Sequence, residues 1–132
     1  MTEEERNTIV KYRLDRANET FCEAKDLFCL KRWHGTANRL YYACYYAVSA
    51  LLIKNEYTAR THNGVLTLLG KHFVLEGLVS REQNDLYVAL LELRQGGDYD
   101  DWVVVTEDKV APLVEPAQKF IQEMERLINL KT

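Results

Sequence analysis

The chain has 132 residues, 47% of them hydrophobic and 28% charged, with a formal net charge of −3. A chain of that size buries roughly two-thirds of its unfolded surface without needing a metal or a disulfide, and the composition is that of a globular protein. The acidic balance excludes bulk electrostatic binding to nucleic acid but leaves room for a local basic pocket.

Thr2 followed by Glu5 is a capping-box pattern. Behind it Val10, Leu14, Ala17, Phe21, Ala24 and Phe28 recur at spacings of four and three, which predicts a helix over roughly residues 3–30. After a short break at Lys31 to Gly35, a second helix is expected to run to about Lys54, with Leu40, Cys44, Ala47, Val48, Leu51 and Leu52 inward. Asn55 to Thr61 reads as a polar loop. A shorter helix from His62 to about Val74 follows, with Val65, Leu66, Leu69 and Phe73 on one side, and Gly77 interrupts. Ser80 with Gln83 is a second capping box, and Leu86, Ala89, Leu90 and Leu93 carry a fourth helix. Gly96-Gly97 is expected to end it. Asp98 to Val105 is expected to be an ordered loop, because Tyr99 and Trp102 give it something to bury. Thr106 is placed as the cap of a last helix, with Glu107 and Asp108 matching its dipole and Val110, Leu113, Ala117, Ile121, Met124 and Ile128 facing inward. Pro112 and Pro116 should bend that helix or delay its start.

Long helices with short connections predict an all-α fold, an antiparallel up-and-down bundle of four long helices plus one shorter helix, as one domain over residues 1–132. Cys22, Cys29 and Cys44 lie among apolar residues and read as buried free thiols. No apolar run is long enough to span a bilayer, and the acidic start MTEEER is unlike a secretion signal, so a cytoplasmic location without membrane contact is expected.

Two stretches carry candidate chemistry. In Asn38 to Tyr46, helical spacing puts Asn38, Tyr42, Tyr45, Tyr46 and Ser49 on one face, with Arg39, Tyr42 and Tyr46 also in line. Hydroxyl-tipped aromatics beside an amide and a guanidinium suit a core helix, a homodimer seam or a lined pocket. In Arg94 to Asp101, an arginine, two glycines, an acid and a tyrosine suit a phosphate site, or an arginine that caps its own helix and pairs with Asp98. His34, His62 and His72 are not at metal-ligand spacing. There is no phosphate loop or dinucleotide fingerprint, so neither a metal nor a cofactor is expected.

Asn38-Arg39-Leu40-Tyr41-Tyr42-Ala43-Cys44-Tyr45-Tyr46-Ala47, then Thr61-His62-Asn63-Gly64-Val65, then Arg94-Gln95-Gly96-Gly97-Asp98-Tyr99-Asp100, resemble in order and spacing the HEPN domain family. The likeness is to its short stand-alone prokaryotic branch. The resemblance implies a bundle of four long helices with a shorter extra one, usually a homodimer. It further implies a minimal nucleotidyltransferase as partner in a toxin–antitoxin-type pair, and a metal-independent ribonuclease motif, R-x(4–6)-H, at the dimer interface. There the arginine steadies the scissile phosphate and the histidine positions the RNA 2′-hydroxyl or moves its proton. In this chain Asp98-Tyr99 follows Arg94 where that histidine would stand, and Tyr46 occupies a second-helix position where relatives often carry one. An aspartate, with its ordinary pKa of about 3.9, serves as a base but poorly as an acid at neutral pH.

The resulting expectation is a HEPN-like protein that binds a nucleotide, RNA or its nucleotidyltransferase partner. Asn38, Arg39, Tyr42, Tyr46 and Asp100 would line its cleft, and Arg94, Asp98 and Tyr99 would hold the motif position. The alternatives are a ribonuclease toxin that works with Arg94 and Asp98, and a structural dimer module without ligand.

Overall fold

Thr2 accepts a hydrogen bond at Oγ1 from the Glu5 N–H, 3.1 Å, and opens the first helix of the computed structural model, which describes the backbone of residues 1–99 and 104–130 and the side chains of residues 1–96 and 104–130. The helices are α1 (Glu3–Cys29), α2 (Trp33–Lys54), α3 (His62–Leu69), α4 (Arg81–Tyr99) and α5 (Glu107–Ile128). The four long helices and the one short helix match the sequence pattern. The fold is all-α, and no strand occurs among the described residues.

Each helix end has an identifiable cause. Ser80 and Gln83 form a reciprocal capping box at the start of α4: the Gln83 N–H bonds to Ser80 Oγ, 3.1 Å, and the Ser80 N–H to Gln83 Oε1, 3.2 Å. Thr106 precedes α5 in extended conformation but makes no side-chain cap bond, contrary to the sequence expectation. Its carbonyl instead accepts from the N–H groups of Lys109 and Val110. Three segments end on the same paired bonds. Arg32 N–H reaches Leu27 O and Lys31 N–H reaches Phe28 O; Tyr57 reaches Leu52 and Glu56 reaches Ile53; Leu78 reaches Phe73 and Gly77 reaches Val74. This closure requires one residue in the left-handed region. Gly77 supplies it at φ 78°, whereas Lys31 and Glu56 adopt φ 60° and 65° with a side chain attached. That conformation costs a non-glycine residue roughly 1 kcal/mol. Lys31→Gly is therefore expected to stabilise the protein by several tenths to about 1 kcal/mol, read as a higher urea midpoint with unchanged slope.

α1 and α2 pair antiparallel along their whole length. Arg6 meets Glu56, Arg13 meets Ser49, and Arg39 meets Glu23, so each step up one helix is a step down the other. α2 packs against α1, α3, α4 and α5. Half of its residues are buried, among them Leu40, Tyr41, Cys44, Ala47, Val48 and Leu51, as befits a helix apolar around most of its circumference. Tyr41 of α2, Tyr87 of α4 and Phe120 of α5 stack in series, with ring centroids 5.7 and 5.6 Å apart, and tie three helices together.

Several expectations are corrected. α4 does not stop at Gly96-Gly97 but continues to Tyr99, so Asp98 and Tyr99 are helical rather than part of a loop. Two glycines cost a helix about 2 kcal/mol, yet α4 continues through them, above a buried face of Tyr87, Leu90, Leu91 and Arg94. Those four residues form the buried face of α4; Leu86, Ala89 and Leu93 are only half-buried. Of the two effects expected of Pro112 and Pro116, a bend or a delayed start, the delayed start does not occur: α5 begins at Glu107 and runs through both. Cys22 and Cys29 are exposed, and only Cys44 is buried. They follow Phe21 and Phe28 by one residue, and one residue turns a helix by 100°, off the inward stripe. After α3 the backbone widens into a π-turn over Gly70–Val74, closed by Leu75 N–H to Gly70 O at 3.0 Å. Trp102 lies outside the described residues.

Candidate functional site

Along one face of α2 the tyrosines carry arginines from two other helices as well as their own. Arg39 lies 5.2 Å from the Tyr42 ring centroid, and Arg94 of α4 lies 5.1 Å from the same ring and 5.5 Å from Tyr41. Arg16 of α1 sits 5.4 Å over Tyr46, and one turn on Arg13 bonds Ser49 Oγ at 3.3 Å. Guanidinium on an aromatic face is a favourable pairing, and Arg16 and Arg39 also meet carboxylates of α1, Glu19 at 3.3 Å and Glu23 at 3.8 Å. Asn38 fixes Arg39: its Oδ1 accepts from Arg39 Nε at 3.0 Å and from Nη2 at 2.7 Å. Of these groups Tyr41 and Arg94 are buried, and Asn38, Arg39, Tyr42, Tyr45 and Tyr46 are half-buried along the surface. The cluster is thus a strip with cations seated on rings, not a row of free lysines.

His62, the first residue of α3, closes the other side of the strip. Thr61 positions it by capping α3, accepting the Gly64 N–H at 2.9 Å. The His62 ring packs 4.7 Å from Tyr45, 5.5 Å from Tyr41 and 5.8 Å from Tyr42. Its Nδ1 lies 2.6 Å from Tyr41 Oη. Burial and then the nearby Arg94 charge hold its pKa below the ordinary histidine value. The Tyr41 hydroxyl is pushed up to about 12, first by burial, with Tyr87 and Arg94 acting in the opposite sense, so it is a neutral phenol at physiological pH. Burial raises Tyr87 well above its usual value too.

A cavity of about 310 Å³ opens beside Tyr45, between α1, α2 and the loop leading to α3; Arg13, Ser49, Tyr57 and Thr58 line it. The Tyr57 ring at its rim stacks on His72 at 4.0 Å, nearly parallel. No group of three histidine, cysteine, aspartate or glutamate side chains close enough to hold a metal occurs among the described residues. No helix of those residues is long and apolar enough to cross a membrane.

Of the sequence-derived site residues, Asn38, Arg39, Tyr42, Tyr46 and Arg94 share this strip. Asp98 falls one helical turn beyond Arg94 on α4, but its side chain and that of Tyr99 lie outside the described residues, as does all of Asp100. Sequence patterning does not single out His62, Arg13 and Arg16 as site residues. Their partners are distant in the chain, and the local signals are the threonine cap before His62 and its place in the Thr61–Val65 segment that carries the family resemblance.

The HEPN domain model matches residues 10–127. A Thermotoga maritima protein named UPF0332 protein is 36% identical over 125 residues, covering 95% of each chain. A Methanocaldococcus jannaschii protein named "Putative toxin MJ0605" is 30% identical over 116 residues, covering 88% of this chain and 81% of its own. An Archaeoglobus fulgidus UPF0332 protein is 24% identical over 120 residues, covering 91% and 95%. A match over nearly the whole chain, with arginine and tyrosine gathered on the second helix, establishes that this protein belongs to the HEPN domain family.

Proposed function

We propose that this chain is the HEPN half of a toxin–antitoxin-type pair and that its strip of arginines and tyrosines binds RNA or a nucleotide. The observation that carries the reading is the seating of Arg16, Arg39 and Arg94 on the rings of Tyr41, Tyr42 and Tyr46 in a protein whose net charge is −3. Arg16 and Arg39 also meet Glu19 and Glu23, so what supports the reading is the pairing of guanidinium groups with a row of stacking rings, the combination that binds single-stranded nucleic acid. The cavity beside Tyr45, with Arg13 and Ser49 on its wall, is of a size for one base. The relatives named as toxins support the toxin role. In this reading a second copy of the chain faces the strip across a dimer cleft, and a minimal nucleotidyltransferase is the controlling partner.

The test is a titration of the purified protein with labelled single-stranded RNA and with nucleotides across a salt series. Arg16 and Arg39 are half-buried and tolerate replacement better than Arg94. Arg39→Glu and Arg16→Glu are each expected to weaken RNA binding about tenfold and to flatten the plot of log affinity against log salt by about 0.7 for each phosphate no longer neutralised. Wild-type protein that binds neither RNA nor nucleotide at millimolar concentration would refute the reading.

A further inference from the structure

The cavity beside Tyr45 has on its wall a cation that is paired differently from its counterparts. Among the described residues, Arg6, Arg13, Arg16 and Arg39 are the half-buried arginines. Arg6 meets Glu56 at 3.1 Å, Arg16 meets Glu19 at 3.3 Å and Arg39 meets Glu23 at 3.8 Å. Arg13 meets no carboxylate among the described residues; one of its N–H groups donates to Ser49 Oγ at 3.3 Å. A guanidinium carries several further donors, and withdrawing a cation from water without an anion beside it is unfavourable. What stands beside Arg13 is the cavity of about 310 Å³.

The other walls define what the space accepts. Ile9, Leu52, Ile53 and Val65 present aliphatic surface, and Tyr45 and Tyr57 present rings. Tyr57 is held by its stack on His72, 4.0 Å between centroids, so this wall is formed before any ligand arrives. Water in such a space lies mostly against apolar groups, and an apolar body displaces it favourably. A volume of about 310 Å³ is at the lower end for small-molecule sites, enough for one ring or a short chain.

We infer that this cavity binds a small organic monocarboxylate, with the carboxylate on the Arg13 guanidinium and an aromatic or aliphatic body between the walls. The guanidinium fork matches the two oxygens of a carboxylate, and the Ser49 hydroxyl lies at the same end. A bare inorganic anion would meet the charge but leave the aliphatic walls wet. A neutral apolar molecule would cover the walls but leave the guanidinium without an anion. The inference goes beyond the RNA-binding reading and stands without it. An acid seated here fills the space of a base and touches Tyr45, whose ring packs 4.7 Å from His62 on the strip. The acid and an RNA strand are therefore expected to compete.

The experiment titrates the full chain, isotope-labelled at its isoleucine and valine methyl groups, with phenylacetate, hexanoate, acetate and phenylacetamide. Phenylacetate and hexanoate are each expected to shift the Ile9, Ile53 and Val65 methyl resonances saturably. Acetate has the charge without the body, and phenylacetamide has the body without the charge; each should bind at least about tenfold more weakly than phenylacetate. Arg13→Met keeps the stem and removes the charge. It should weaken phenylacetate about tenfold and leave phenylacetamide as it was. Wild-type methyl groups that respond to neither acid at about 10 mM overturn the proposal, as does an amide that binds as tightly as its acid. Arg13→Met that binds phenylacetate as wild type does also overturns it. Should Arg13→Met fail to fold, the comparison of acid with amide on the wild type decides. Wild type that binds the acids but no RNA supports this proposal and removes the RNA-binding reading, whereas wild type that binds RNA but neither acid does the reverse.

Discussion

Tyr41→Ala is expected to lower the unfolding free energy by about 3–5 kcal/mol, the range for truncating a large buried aromatic. The ring has no exposed surface and meets the rings of Tyr42, Tyr45, His62 and Tyr87, with the Arg94 cation above it. Its loss breaks the stack that runs through Tyr87 to Phe120 and so loosens α2 from both α4 and α5. Tyr41→Phe is the control. It keeps the ring and gives up the hydrogen bond to His62, for about 1 kcal/mol. Urea unfolding followed by circular dichroism measures both. Equal losses for the two substitutions would mean that the hydroxyl, not the ring, holds this junction.

Arg94→Ala is expected to cost about 2–4 kcal/mol and to raise the pKa of His62. Arg94 is 8% exposed and its guanidinium lies on two rings at once, a desolvated setting in which each cation–aromatic contact contributes up to about 2 kcal/mol. Its aliphatic stem adds packing that alanine cannot replace. Arg94→Lys keeps the charge but not the flat surface, so it should recover only part of the stability. The direction of the pKa change follows from charge. A cation beside an imidazole disfavours the imidazolium, and its removal lets the pKa climb back toward the ordinary value. The folded pKa is depressed relative to the unfolded chain, so His62 supports folding above about pH 6.5 and loses that support as pH falls through the depressed value. Removing Arg94 narrows this window. An NMR titration of the His62 ring in both proteins reads the shift, and an unchanged pKa would show that burial alone sets it.

The helices themselves were legible in the sequence because their causes are local. A period of 3.6 in apolar residues drew the stripes of α1, α2 and α5, and the Thr2 and Ser80 caps marked two starts to within a residue. Local rules failed where tertiary packing outvoted them. Paired glycines did not end α4, which runs on to Tyr99, and its buried face joins a tyrosine and an arginine to Leu90 and Leu91, whereas Leu86 and Leu93 are only half-buried. Much of the candidate site was likewise readable, since Asn38, Arg39, Tyr42 and Tyr46 lie along a single helix and Arg94 stands out in its own segment with two glycines and an acid. Packing supplied the rest. His62 comes to Tyr41 from 21 residues away, Arg13 reaches Ser49 across 36, and the fold seats Arg94 of the fourth helix on Tyr42. A search for a histidine near Arg94 in the chain finds none, whereas the fold places one beside the two rings that Arg94 covers, because the side of α2 open to α4 is also the side on which the short α3 must dock to bury Val65 and Leu69.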